Sequence, residues 1–227
     1  MPGQRIDLHT HTTWSDGELI PGELLRRAVA LGYEGLAITD HVDFSNVDLI
    51  VPSLVRFARW QAPEYVISFV VGVELTHVPP KLVAPLARRA RELGAQLVVV
   101  HGETIVEPVV NGTNFAAAAC PDVDILAHPG ILEHRSAEMA AESGLYLELS
   151  GRKGHALGNG RIVALAREMG CKLLVNSDTH SPSDMFGQAR ASSVAAGAGL
   201  NEEETQRTII TNPHELVRRC LERYPVK

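Results

Sequence analysis

Seven short apolar runs recur along this 227-residue chain, and six of them finish on a histidine, an aspartate or a glutamate. The runs span residues 5–8, 35–39, 65–73, 96–100, 125–127, 145–149 and 172–176. At or just past their ends stand His9 and His11, His41, Glu74, His101, His128, and Asp178 with His180. Counted from His11, the successive gaps are 30, 33, 27, 27 and 50 residues; the last covers two units because the sixth run leads into Arg152 instead. Apolar runs of this length read as parallel strands covered on both faces. Helical patterns lie between them at 21–31, 49–60, 81–93 and 161–169, and two further pieces at 201–208 and 213–223 close the chain. Pro21 at a helix start and Gly32, Gly94 and Gly170 as stops follow the asymmetry of helix capping.

Repeated βα units form either an open doubly wound sheet or a closed barrel. The open sheet draws its site from one switch point, whereas a barrel draws ligands from the C-terminal end of nearly every strand. Polar residues at the same phase in almost every unit therefore predict an α/β barrel of seven units. No linker or composition shift divides the chain, so residues 1–227 are expected to form one domain.

So many imidazoles in one cavity repel if protonated and leave unpaired nitrogens if neutral. Divalent cations resolve both problems, because neutral imidazole and carboxylate are ligands of first-row metals. The nine candidate ligands are His9, His11, Asp16, His41, Glu74, His101, His128, Asp178 and His180. At about three protein ligands per open site, they suit two or three ions, with Zn²⁺, Mn²⁺ and Fe²⁺ all acceptable.

Asp7-Leu8-His9-Thr10-His11 with Ser15-Asp16-Gly17, Thr39-Asp40-His41, Gly72-Val73-Glu74, His101, Ala127-His128-Pro129 and Ser177-Asp178-Thr179-His180 together resemble the ordered motifs of the PHP (polymerase and histidinol phosphatase) superfamily. The resemblance implies a distorted (β/α)7 barrel of PHP type with a trinuclear metal centre. It implies one ion on His9, His11, Glu74 and Asp178, a second sharing Glu74 and adding His101 and His128, and a third on Asp16, His41 and His180. Some family members carry histidine where this chain has Asp16. Asp7 and Asp40 resemble partners that orient the neighbouring histidines.

The chemistry expected of such a centre is hydrolysis of small phosphate monoesters, histidinol-phosphate-like or nucleotide, by metal-activated hydroxide. In the loop after the sixth strand, Arg152 and Lys153 are candidates to grip phosphate, and His155 to protonate the leaving group. Competing readings are an oligonucleotide or cyclic-nucleotide phosphodiesterase of the same superfamily, an amidohydrolase-type C–N or lactone hydrolase, and a non-catalytic metal-binding module. His77 reads as a loop residue, Glu103 is open between a proton shuttle and no site role, and His134 and His214 read as surface groups.

Composition narrows the partners. The net charge is −6 and aromatic residues make up only 5%, so neither the basic stripe nor the stacking surface of a binder of long nucleic acid is present. Cys120, Cys171 and Cys220 lack metal or disulfide spacing. No apolar stretch is long enough for a membrane span, and Met1 to Arg5 lead straight into structured sequence, so a cytoplasmic protein without a leader is expected.

Overall fold

A computed structural model describes residues 5–224. Its strands are β1 (Arg5–Asp7), β2 (Tyr33–Ile38), β3 (His41–Val42), β4 (Ser68–Leu75), β5 (Leu97–His101), β6 (Ile125–Ala127), β7 (Tyr146–Ser150) and β8 (Lys172–Asn176). All pairings are parallel, in the order β1-β2-β4-β5-β6-β7-β8, with β3 pairing the upper half of β4. Beyond the strand ends a parallel bridge joins Thr10 to Thr179, and His11 N–H donates to the Thr179 carbonyl at 2.8 Å. The sheet thus closes nearly into the expected seven-unit barrel, with β3 as a short addition. Lower down, the buried Arg5 guanidinium spans the seam by donating to the Val175 carbonyl at 2.8 Å and to Asp7.

Helices α1 (Pro21–Ala30), α2 (Val47–Trp60), α3 (Pro80–Leu93), α4 (Thr113–Ala118), α5 (His134–Ser143), α6 (Asn159–Met169), α7 (Gln188–Gly197), α8 (Glu202–Gln206) and α9 (Asn212–Arg223) complete the chain, with a π-helical turn, Arg207–Thr211, before α9. Most pack around the barrel against the outward faces of the strands, and α2 and α3 pack on each other. None is long and apolar enough to cross a membrane. Strand boundaries move by up to three residues from the sequence expectation: β4 starts at Ser68, because Tyr65 and exposed Val66 belong to the preceding turn. Helices α5 and α7 and strand β3 are elements that the sequence patterns do not announce.

The inside of the barrel obeys the two-residue period of a strand. Ile6, Leu8, Ala37, Val70, Leu97, Val99, Ile125, Ala127, Tyr146 and Leu174 form one apolar cluster. Leu216, Val217 and Cys220 of α9 join it, so that α9 stoppers the N-terminal end. Two residues further along the same rows the chemistry changes: Leu97 and Val99 lead to His101, Tyr146 to Glu148, Leu174 to Asn176, and Val70 by way of Gly72 to Glu74. All four of these polar residues are buried.

Candidate metal centre

The strand ends bring the nine candidate ligands to the C-terminal end of the barrel. There a cavity of about 230 Å³ is lined by Asp16, His41, His101, His128, Asp178 and His180 together with Thr76, His77, Glu107, Arg152 and His155. His9, His11 and Glu74 lie beneath it and are fully buried. Close backbone packing sets this floor. A Cβ at Gly102 would stand 2.3 Å from the Ala127 carbonyl oxygen, and one at Gly130 2.1 Å from that of Glu103. This contact between the ends of β5 and β6 leaves the His101 and His128 rings 4.5 Å apart. His128 and Asp178 have positive φ, 27° and 55°, a conformation that non-glycine residues adopt at a cost and that concentrates at functional sites.

Glu74 and Asp178 share the innermost imidazoles. His9 Nε2 is 3.3 Å from Glu74 and 3.7 Å from Asp178; His11 Nε2 is 3.6 Å and 3.3 Å from the same two; His128 Nε2 is 3.6 Å and 3.7 Å from them. Asp16 stands 3.5 Å from His41 Nε2 and 3.3 Å from His180 Nε2. These separations exceed a good N–H···O bond, but they match the roughly 3.3 Å edge of a tetrahedron of ligands placed about 2.0–2.1 Å from one ion. His9 Nε2, both nitrogens of His11, His128 Nδ1 and both Glu74 oxygens lack a well-formed hydrogen bond despite burial. Unpartnered buried donors and acceptors of this kind are rare in folded proteins, and a set of imidazoles and carboxylates around them fits divalent cations. Among the described residues, the groups with that chemistry include His9, His11 and Asp178; His9, Glu74 and His128; His11, Asp16, His41 and His180; and His128, His155 and Asp178.

The charges respond to this crowding. Burial would lower the His9 imidazole, but Glu148, Glu74 and Asp178 outweigh it and hold it well above its ordinary value. Burial lowers His11 and His128 well below theirs, reinforced by His41 for the former and His101 for the latter. Burial pushes the Asp178 carboxyl up, whereas at Glu74 the histidines His9 and His41 overcome burial and hold it low. Burial also opposes ionisation of Asp16, yet hydrogen bonds to His180 and His41 prevail and keep it ionised.

The partners that orient the ligands differ from expectation. Asp7 pairs with Arg5 and accepts from Ser177 N–H, and Asp40 accepts from Thr12 and Ser15, so neither touches a histidine. Asp7 instead ties β1 to the end of β8, and Asp40 ties the end of β2 to the loop after β1. The group that orients His9 is Glu148, whose Oε2 lies 2.8 Å from His9 Nδ1 and accepts from Asn176 at 2.9 Å. Its signal in the sequence is a lone charge in the apolar stretch Leu145-Tyr146-Leu147-Glu148-Leu149, in phase with inward Tyr146. Thr76 sits 2.6 Å from His41 Nδ1.

The His101 ring stands 4.5 Å from that of His128 and within the field of Glu74. It gathers with His77 and Glu107, two residues to which the sequence assigns no ligand role. Glu107 follows no strand directly, so phase cannot reveal it. Hydrogen bonding from His101 takes its carboxyl down to about 2. Arg152 reaches the centre, donating to the Asp178 carbonyl at 3.0 Å and pairing with His180 Nδ1. His155 is buried with its ring 4.2 Å from that of His128 and its Nδ1 2.9 Å from Thr104 Oγ1. Lys153 is exposed and does not line the cavity. Glu103 accepts from Gly112 and Asn114 N–H and caps α4, while His134 and His214 are exposed on α5 and α9.

Residues 7–155 match the model of the PHP domain. An uncharacterised protein of Methanocaldococcus jannaschii is 47% identical over 217 residues, 95% of this chain and 99% of that one. Among solved structures, a chain of an archaeal ribonuclease P determined by cryo-EM with mature tRNA superposes with a TM-score of 0.73 at 14% identity, covering 97% of this chain and 96% of that one. A histidinol phosphate phosphatase of Lactococcus lactis, crystallised with zinc, L-histidinol and phosphate, superposes with a TM-score of 0.61 at 14% identity, covering 87% and 95%. Those two likenesses concern the fold. The match over nearly two thirds of the sequence and the phased ligand set point the same way: the chain belongs to the PHP domain family.

Proposed function

We propose that this chain is a metal-dependent phosphoesterase acting on small phosphate monoesters. The observation that carries the reading is the floor of buried imidazoles and carboxylates with unpartnered ligand atoms, opening on a small cavity with the Arg152 guanidinium in its wall. His9, His11 and Asp178, Glu74 with His128, and Asp16 with His41 and His180 would hold the ions. When bound, divalent ions supply Lewis acidity, which acidifies water and neutralises charge on phosphoryl oxygens.

The chain's own groups do the rest. Arg152, anchored through the Asp178 carbonyl, offers its remaining N–H groups to phosphate oxygens. His155, kept neutral by burial, binds or passes a proton on the side of the leaving alkoxide. Glu148 fixes the tautomer of His9 so that Nε2 faces the centre.

The size of the cavity, about 230 Å³, lies below the roughly 300–1,000 Å³ of drug-sized sites and suits a phosphoryl group with a modest alcohol. The ribonuclease P neighbour was solved with tRNA, and on this chain a nucleic acid would have to present a terminal phosphate to an acidic protein. The test is phosphate release from a broad panel of metabolite phosphates, nucleotides, cyclic nucleotides and short oligonucleotides, with Mn²⁺, Zn²⁺ and Fe²⁺ each supplied to metal-stripped protein. Turnover of monoesters above diesters is the expected result. Release from no ester under any metal, or hydrolysis confined to amides and lactones, would overturn the reading.

A further inference from the structure

The lining of the cavity is polar throughout, but the rim above it changes character on one side. There the loops after β5, β6 and β7 leave four large apolar side chains in solvent: Ile105 (48% exposed), Val106 (50%), Ile131 (65%) and Leu157 (71%). Contacts tie these residues to His155. Thr104 Oγ1 is 2.9 Å from His155 Nδ1, and Glu107 Oε1 is 3.4 Å from His155 Nε2. The stretch between those two residues, Ile105 and Val106, therefore crosses beside the imidazole with its own side chains half exposed. Val106 lies against Gly154, the residue before His155: a Cβ at Gly154 would stand 3.3 Å from a Val106 methyl carbon. Leu157 N–H donates to the Gly154 carbonyl at 3.3 Å, which places Leu157 in the turn that follows. Gly158 presses on the loop after β6, where a Cβ would stand 2.6 Å from the Gly130 carbonyl oxygen, and Ile131 follows that glycine. Exposed apolar side chains scattered singly are ordinary, whereas four on three touching loops beside one cavity mark a contact surface.

We infer that this ledge receives an apolar alkyl or aryl part of the substrate alcohol, so that the preferred esters are monoesters of hydrophobic alcohols rather than of sugars or polyols. His155 marks the side of the leaving alkoxide, an assignment that rests on the hydrolytic reading, and the ledge flanks His155. A polar cavity of about 230 Å³ holds the phosphoryl group, and an alcohol longer than a few atoms reaches the rim. On the ledge an apolar group leaves water, whereas hydroxyl groups would give up hydrogen bonds and find no partner on Val106 or Leu157. Trp14 and Phe44, exposed on the loops after β1 and β3, form a rival wall away from His155.

The experiment compares binding of two non-hydrolysable phosphonates, methylphosphonate and benzylphosphonate, to the metal-loaded protein by calorimetry, beside kinetics on methyl, glycerol and benzyl phosphates. Benzylphosphonate should bind about tenfold more tightly, the gain from burying roughly 55 Å² of apolar surface. Leu157→Ser and Val106→Ser should each cut that preference while methylphosphonate affinity and metal content keep their wild-type values, and Trp14→Ser should leave it unchanged. In turnover the same substitutions should raise KM for benzyl phosphate with kcat unaltered. Equal affinity for the two phosphonates, binding of neither, or a preference that survives both ledge substitutions would overturn the inference. So would a dimer in sedimentation that Leu157→Ser dissociates with phosphonate binding unchanged, because the ledge would then belong to a second copy of the chain. Should Val106→Ser fail to fold, Leu157→Ser decides alone, since that side chain is mostly in solvent. A benzylphosphonate preference erased by Leu157→Ser in a protein that releases phosphate from no ester would support the ledge and sink the hydrolytic reading. Turnover of all three monoesters with one kcat/KM, and equal phosphonate affinities, would do the reverse.

Discussion

The two ends of the barrel are built from the same strands on the same two-residue period, yet they solve opposite problems. At the N-terminal end the inward positions are Ile6, Val70, Leu97, Ile125 and Leu174, closed by Leu216, Val217 and Cys220 of α9. Every one of these groups is satisfied by contact alone. Further along the strands the inward positions are Glu74, His101, Glu148 and Asn176, and both Glu74 oxygens and Glu148 Oε1 lack a well-formed hydrogen bond. Burying such groups unpaired costs free energy, so this end lowers stability in the metal-free chain and the other end must supply it. Barrel enzymes divide labour in this way, with stability at the base and chemistry at the rim.

Substitutions at the two ends should therefore have opposite signatures. The largest effect belongs to Glu74, which faces His9, His11, His41 and His128. Glu74→Gln should cut hydrolysis by about a thousandfold or more, the kinetic equivalent of losing several kcal/mol of charge stabilisation, with metal content falling in parallel. Melting of the chelator-stripped variant at neutral pH should fall below wild type, because the Glu74 carboxylate compensates buried His9 and His41 and holds their imidazoles above the ordinary value. A stripped variant as stable as wild type would show that these charges do not pair in the metal-free chain. At the base, Leu216→Ala, which truncates a side chain with no exposed surface, should lower unfolding free energy by about 2–5 kcal/mol. Metal bound per folded chain should stay at the wild-type value, measured by denaturant titration alongside elemental analysis. Metal loss at full folding would show that α9 positions the rim as well as plugging the base.

How far each end is legible from the sequence follows from the same contrast. The barrel, its parallel order and the convergence of His9, His11, Glu74, His128, Asp178 and His180 are readable because strand ends recur in phase, and the connections between strands return each one to the same side. Glu148 escapes because it stands one layer below the rim, where only the alternation with Tyr146 marks it. Glu107 escapes because a loop has no period at all. Helices α5 and α7 are hidden for another reason. Their buried faces are Ser136, Ala137 and Ala140, and Ala191 and Ala195, so the contrast between faces is slight even though alanine is the best helix former. Asp7 and Asp40 depart from the expected role because nearness in sequence to a histidine is not contact: Arg5 and Ser177 N–H claim Asp7, and Thr12 and Ser15 claim Asp40.

Glu148 offers a way to sharpen the comparison from within the rim. Its Oε2 meets His9 Nδ1 and the Asn176 amide, on the side of the imidazole away from Glu74. Glu148→Gln should weaken metal binding by about 10–100-fold, the usual effect of losing a carboxylate behind a ligating histidine, without abolishing it. Competition with a chromophoric chelator measures this directly. An affinity equal to wild type would mean that the barrel wall alone orients His9.

The smallest effect separates two neighbouring cations on one loop. Arg152 is a third exposed and bonded to the Asp178 carbonyl, whereas Lys153 is exposed beyond the cavity lining. A guanidinium held in a partly desolvated wall interacts with a bound phosphate at short range, but an exposed ammonium is screened over a Debye length of about 8 Å at physiological ionic strength. Lys153→Ala should accordingly change kcat/KM by no more than about threefold, an effect of the order measured for exposed charges, and the difference should vanish as salt is raised. Arg152→Ala should impair turnover at every salt concentration while metal content stays intact. If Lys153→Ala proved as damaging as Arg152→Ala and insensitive to salt, the loop would have to fold inward over the substrate, and the rim would extend beyond the residues that now line it.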